Sequence, residues 1–438
     1  MHVAKTWGAA LLACALIQSV ASAQSRTETP PPSRGEAVAI AGNCVVCHSL
    51  PQGAPHAGGL RMGTPLGAIY TSNITPDRET GIGAWSFEEF DRAMRLGVSR
   101  DGRRLYPAMP YPSYAKMSED DLRALYDFYM KDVKPVRQRN TPNDIPFPLN
   151  ARWPLAAWNW MAADLSRFVP RPDRDTIWNR GAYLVQGPGH CGACHTPRGL
   201  LFQEKASDET GSSWLSGANI DNWSASNLRG DADAGLGRWT EDDIVAFLGK
   251  GQNRFGAAFG TMREVVEYST GRMSPDDLLA IARYLKSLPP ARSATGLAWV
   301  YDTRTATDLR AGKLDRPGAA GYMRQCASCH GVDGKGREAD MSRPQLPPLA
   351  GNSAVLDPDP ASLIRAVLNG VPRLGPEAGT APDWMPQFRT WMNDADIAAI
   401  ITFMRTSWGN RAGPVTTEQV AKLRAATDPQ APLVLRMR

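Results

Sequence analysis

A cysteine pair with two residues between its members and a histidine directly behind it occurs three times in this chain, and nothing else limits its fold so tightly. The runs are Cys44-Val45-Val46-Cys47-His48, Cys191-Gly192-Ala193-Cys194-His195 and Cys326-Ala327-Ser328-Cys329-His330. This spacing lets two thiols add to the two vinyl groups of one haem while the adjacent imidazole reaches the iron. One such pair alone is also compatible with half a zinc site or a redox dithiol. Zinc needs a second pair nearby, and these lie far apart; a redox dithiol has no use for the histidine. Disulfides are not normally distributed as three identical two-residue spacers. The expectation is three covalently bound haem c groups, attached through Cys44, Cys47, Cys191, Cys194, Cys326 and Cys329, with His48, His195 and His330 as axial ligands.

The seventh cysteine, Cys14, falls in a leader. A basic start at Met1–Thr6, an apolar run from Gly8 to Ile17 and Ala21-Ser22-Ala23 form a secretory signal peptide over 1–23. Lipoprotein processing at Cys14 is the alternative, and the short apolar run before it argues against that. The mature chain is expected in the periplasm. No later stretch has the ~18 uninterrupted apolar residues of a membrane span, so membrane contact is expected to be peripheral or through a partner. A length of 438 residues suits about three domains, and 40 Gly with 35 Pro favours short helices among long loops. The net charge of +5 is small and scattered, so nothing points to nucleic acid.

Each repeat needs a sixth iron ligand if it is to carry electrons without opening the iron to small molecules. Each repeat closes on a helix that starts after Ser118, Ser274 or Asn393, good N-caps with an acid three places on. Another helix runs upstream of it, from Trp85-Ser86 to Gly97, Trp239-Thr240 to Gly251 and Asp359 to Gly370. Two methionines compete in each repeat. Met117, Met273 and Met392 sit just before the caps, where a staple onto Leu122, Leu278 and Ile397 occupies them. Met109, Met262 and Met385 lie in the preceding loop, and proline follows Met109 and Met385, stiffening the chain there. The sixth ligands are expected at Met109, Met262 and Met385. His190 is read as a loop or propionate neighbour, and His56 as a weaker rival to Met109. Ser72-Asn73 echoes Ser226-Asn227, and Trp85 echoes Trp239, so the first two repeats are nearer kin. These asparagines and tryptophans are read either as haem-edge residues or as plain turn and core residues.

The expected fold is mainly α: three tandem haem-binding domains at 30–133, 176–290 and 313–410 with long loops. Pro-rich linkers fall at 134–175 and 291–312, and a tail at 411–438 holds one expected helix, Thr417 to Ala426, suited to docking. The first linker, with Phe147, Trp153, Trp158 and Trp160, is too apolar for a free tether and is expected to lie against a neighbouring domain or a partner.

Together these features resemble the three-haem cytochrome c subunit of bacterial membrane-bound dehydrogenases, the alcohol, gluconate, fructose and aldehyde type. The most specific stretches are Thr71 to Asp77, Leu105 to Pro112, Gly189 to Arg198 and Trp408-Gly409-Asn410. The resemblance implies cytochrome c-like domains and a separate catalytic subunit, of flavin, PQQ or molybdenum type, that oxidises the substrate. It also implies delivery of electrons to ubiquinone or an oxidase at the outer face of the cytoplasmic membrane. On that reading no residue of this chain is catalytic. The rival readings are the haem subunit of a terminal oxidase and a haem peroxidase-like enzyme.

Overall fold

The computed structural model describes residues 30–64, 67–291, 298–338, 346–371, 385–427 and 435–436; the expected signal peptide lies outside them. Each repeat opens and closes on a helix, and the two cross at a glycine. Arg34–Ala41 packs on Glu119–Lys131, Thr176–Gln186 on Pro275–Lys286, and Ala319–Gln325 on Asp394–Arg405. A Cβ on Gly35 would stand 2.0 Å from the carbonyl oxygen of Ala124, and one on Gly181 would stand 1.9 Å from that of Ala280. Only a residue without a side chain lets two helix backbones come so close.

The closing helices start as their sequences predict. Ser118, Ser274 and Asn393 accept hydrogen bonds from the backbone N–H of Asp121, Asp277 and Asp396. Acids in the first turn then meet the positive end of the helix dipole. The upstream helices are Phe87–Leu96, Glu241–Lys250 and Ala361–Asn369, each stopped by a glycine at positive φ, namely Gly97, Gly251 and Gly370. Ser86 and Thr240 form reciprocal capping boxes with Glu89 and Asp243, while the third helix starts behind Pro360. Strands are few and short, as in the hairpin Ala218–Ile220/Trp223–Ala225.

Among the described residues three hydrophobic cores form, one per repeat. Their edges differ from the expected boundaries. Trp299 and Tyr301, in the expected linker 291–312, pack on the third core together with Leu309 of the helix Arg304–Arg310. The helix of the expected tail 411–438, Thr417–Ala426, buries Val420 and Leu423 in that same core. Arg424 fixes it by bonding Asp394 and the Met392 carbonyl at 2.7 and 2.8 Å. Two apolar residues three apart suffice to bind a short helix, so this one is part of a core and is not free to dock. The linker 134–175 contains the helix Pro154–Ala162.

The described residues from Ser33 onward form one compact unit. Between the first two cores the buried Asp121 accepts from Arg34 Nε at 2.7 Å and from the Tyr183 hydroxyl at 2.5 Å. Between the second and third, Ser224 N–H donates to Ser362 Oγ at 2.8 Å, and Arg365 stacks over Trp223 at 3.8 Å. Asp357 is buried at this junction and accepts from Ser224 Oγ at 2.9 Å, and burial pushes its carboxyl up to about 6. The folded state therefore holds this proton more tightly than the unfolded chain does. The resulting stability is present below about pH 4 and is lost as pH rises through about 6, by on the order of 3 kcal/mol. Asp357→Asn should flatten that part of the urea-midpoint profile; an unchanged slope between pH 4 and 6 would count against the assignment.

Candidate haem sites

One helical turn organises each motif. The backbone N–H groups of His48, His195 and His330 donate to the carbonyls of Cys44, Cys191 and Cys326 at 3.0, 3.0 and 2.9 Å. First cysteine, second cysteine and histidine thus stand at i, i+3 and i+4, one face of a helix. Each ring is then oriented from behind. Nδ1 of His48 lies 2.7 Å from the Ser72 carbonyl, that of His195 lies 2.7 Å from Ser226, and that of His330 lies 3.1 Å from Pro347. A carbonyl only accepts, so Nδ1 carries the proton and Nε2 keeps its lone pair for a metal. Burial lowers the pKa of all three rings, which keeps them neutral as ligands must be.

The thiols do not behave as a redox dithiol. None of the six is in a disulfide. Burial pushes Cys44 up to about 11 and Cys47, Cys191 and Cys326 up to about 12, whereas a dithiol active in exchange has its pKa lowered. Two buried indole donors also lack a partner, Nε1 of Trp239 beside the middle core and Nε1 of Trp299 beside the third. Propionate carboxylates are acceptors of the kind they lack. The residues present therefore fit haem, which when bound supplies a one-electron iron couple.

The methionines divide as follows. Met109 lies in a loop and packs on the first core with Cys44; Met385 lies in a loop and packs on the third with Cys326. Met262 does not sit in a loop as expected. It stands in the first turn of the helix Thr261–Tyr268, which begins at Gly260 without needing a proline to stiffen it. Of the staple methionines, Met117 shares its cluster with Leu122 and is 1% exposed, and Met392 packs on the core that holds Ile397. Met273 packs on the middle core, but Leu278 lies outside that cluster, beside Gly249.

The first two motifs adjoin. The helix Thr261–Tyr268 packs on Cys44–Cys47, and the Cys47 thiol is raised by the nearby Cys194 and Glu264 after burial and Cys44. His190 Nε2–H donates to the Gly42 carbonyl at 3.2 Å and its ring meets Tyr114 edge-on, so it is an interdomain strut. His56 lies edge-on to Tyr129, which lies 3.4 Å from its Nδ1. Asn73 and Asn227 build turns: Asn73 Oδ1 accepts from Thr75 N–H and Asn227 Oδ1 from Arg229 N–H. The features that side-chain reasoning missed are the carbonyls of Ser72, Ser226 and Pro347. The recurrence of Ser-Asn at 72 and 226 marked two of them.

A cytochrome c family model matches residues 32–133 and 316–408. The gluconate 2-dehydrogenase cytochrome c subunit of Pantoea cypripedii is 48% identical over 403 residues, 91% of this chain and 90% of that protein. The cytochrome c subunit of the quinone alcohol dehydrogenase of Gluconobacter oxydans is 45% identical, over 90% of this chain and 82% of its own. The fructose dehydrogenase cytochrome subunit of Gluconobacter japonicus is 35% identical, over 90% and 83%. With near full-length identity at that level and motifs shaped for covalent haem c, the chain belongs to the family of dehydrogenase cytochrome c subunits.

Proposed function

We propose that the chain is a periplasmic three-haem carrier that takes electrons from a dehydrogenase catalytic subunit, one oxidising an alcohol, sugar acid or aldehyde, and passes them to ubiquinone or an oxidase. The observation that carries this reading is the threefold imidazole geometry, with each Nδ1 tied to a carbonyl and each Nε2 left for iron. Cys44, Cys47, Cys191, Cys194, Cys326 and Cys329 attach the groups; His48, His195 and His330 hold one side of each iron, and Met109, Met262 and Met385 the other. The three domains follow the repeats, the third extended to include Arg304–Arg310 and Thr417–Ala426. The adjoining first and second motifs suit direct exchange between two centres, and the protein's part is to set distance, burial and ligand field.

The methionine assignment gives the test. Met109→Ala, Met262→Ala and Met385→Ala should each remove one low-spin, sulfur-ligated signal from the spectrum of the oxidised protein. Met117→Ala should keep all three and cost about 2–5 kcal/mol, because it empties a fully buried site. The reverse pattern would refute the ligand set. A high-spin centre in the unaltered protein that turns over peroxide would refute the carrier role.

A further inference from the structure

Between the second and third cores three cations converge on one cavity of about 300 Å³, Arg238 and Arg254 from the second repeat and Lys335 from the third. Its walls are the rings of Phe255, Trp299 and Tyr301, and no acidic side chain among the described residues lines it. The acids nearby are engaged elsewhere. Asp243 takes the Arg254 guanidinium at 2.9 and 2.8 Å. Asp233 accepts from the Ala234 N–H at 2.6 Å, and Asp333 from the Lys335 N–H at 3.2 Å. Arg238 donates to carbonyls alone, those of Ala232 at 3.0 Å, Asp233 at 3.3 Å and Gly351 at 2.5 Å. The Lys335 ammonium lies 4.6 Å from the centre of the Tyr301 ring. Two of the three cations therefore have no carboxylate bonded to them.

The site is built across the junction. Arg238 belongs to the second repeat, yet its guanidinium lies 5.0 Å from the Phe255 ring and 5.2 Å from the Trp299 ring of the third. Gly351, whose carbonyl it bonds, has φ +71°, and a Cβ there would stand 2.9 Å from the Trp299 indole. Only glycine lets that ring rest on the backbone that takes the arginine. Phe255 in turn stacks on Trp239 at 5.4 Å, with the ring planes 10° apart. Trp239, Phe255, Arg238 and Trp299 thus form one continuous stack from the core that holds Cys191 to the core that holds Cys326. Lys335 stands five residues after His330, and Pro348 of the cavity wall follows Pro347, whose carbonyl orients that ring.

A guanidinium, an ammonium and flat aromatic walls suit a planar oxyanion. Beside them the indole N–H groups of Trp239 and Trp299 are buried without an acceptor among the described residues. We propose that this cavity is a carboxylate site shared by the second and third repeats, with Arg238 as its bridging cation. A propionate of the second or third haem and a free carboxylic acid carry the same chemistry; the first source rests on the haem-carrier reading above, and the second does not.

The test is a spectroelectrochemical titration of the haem-loaded mature chain, with benzoate binding followed separately by calorimetry. A cation beside a haem carboxylate cancels negative charge and so favours the reduced iron. Arg238→Gln should therefore lower the potential of one or two haems, the ratio of reduced to oxidised haem at a fixed applied potential falling about tenfold, about 59 mV for one electron. The step that Met109→Ala displaces, which marks the first repeat, should stay where it is. Arg238→Lys keeps the charge and should restore most of the shift, which a role in packing alone would not allow. Lys335→Gln alters an exposed side chain, should move the same step in the same direction, and decides the matter where Arg238→Gln does not fold. Arg304→Gln, an exposed cation of the third repeat paired with Asp302, should move nothing. Benzoate binding by the unaltered chain that Arg238→Gln abolishes would identify the source as a free acid. Unmoved potentials together with no benzoate binding that depends on Arg238 overturn the proposal, and so does Arg238→Lys behaving as Arg238→Gln. Intact mass counts the haems separately: fewer than three refutes the three-haem reading, and the benzoate titration then still decides the cavity.

Discussion

If the chain carries three haems as proposed, alanine at both Cys191 and Cys194 is expected to leave two covalent haems in place of three and to stop electron transfer from one end of the molecule to the other. The middle motif touches both neighbours. On one side His190 donates to Gly42, Ser269 Oγ donates to the Ala41 carbonyl at 3.3 Å, and Cys194 lies close enough to Cys47 to raise its thiol. On the other, the hairpin Ala218–Ile220/Trp223–Ala225 leads directly into Ser226, whose carbonyl orients His195, and carries the bonds to Ser362. The tail strand Leu435–Arg436 pairs with Arg61–Thr64 of the first repeat, but among the described residues no hydrogen bond joins the first motif to the third, and on the three-haem reading the middle centre is then the relay between them. Mass spectrometry of the intact chain should find it lighter by one haem, and rapid mixing with a reductant should show the remaining centres no longer equilibrating quickly. A full complement of haem, or undiminished exchange, would contradict the relay.

The parts of this architecture that were legible are those written in short-range chemistry. Ser118, Ser274 and Asn393 announce their helices because a cap is a bond between residues three apart. The cysteine pairs are equally local. What was not legible depends on groups that any residue carries or on partners distant in sequence. The acceptors behind the three imidazoles are backbone carbonyls, so no residue type betrays them. The necessity of Gly35 and Gly181 lies in the Ala124 and Ala280 carbonyls across the crossing, which are distant in sequence. No proline follows Met262, and none is needed, because a helix already rigidifies that position. The helix Thr417–Ala426 has only Val420 and Leu423 to show on its buried side, too little to distinguish a core element from a tail until the third core is seen beneath it.

Replacing Arg405 with methionine is expected to unfold the third core ahead of the rest. This residue ends the helix Asp394–Arg405 and is 1% exposed. Its guanidinium donates to the carbonyls of Gly413 at 2.7 Å, Val355 at 3.1 Å and Asp357 at 2.8 Å. Those carbonyls come from two stretches, the end of the short helix Ser353–Leu356 with its cap Asp357 and the loop at Gly413, and the arginine is their common donor. Methionine fills most of the volume and donates nothing, so each stranded carbonyl costs about 1–3 kcal/mol. The total approaches the 5–15 kcal/mol that holds a typical domain together. The first repeat is built alike: the buried Arg95 donates to the carbonyls of Ala115 and Met117 at 2.8 and 2.7 Å, clamping the chain just before its closing helix. Because thioether links survive unfolding, Arg405→Met should retain all its haem while losing the sulfur-ligated signal assigned to Met385. Arg405→Lys, with a single compact donor group, should recover part of the stability. The measurement is a urea titration followed at that signal and at the protein backbone. A midpoint within about 0.5 kcal/mol of the unaltered protein would show that water replaces the guanidinium and that the clamp is not what holds these loops.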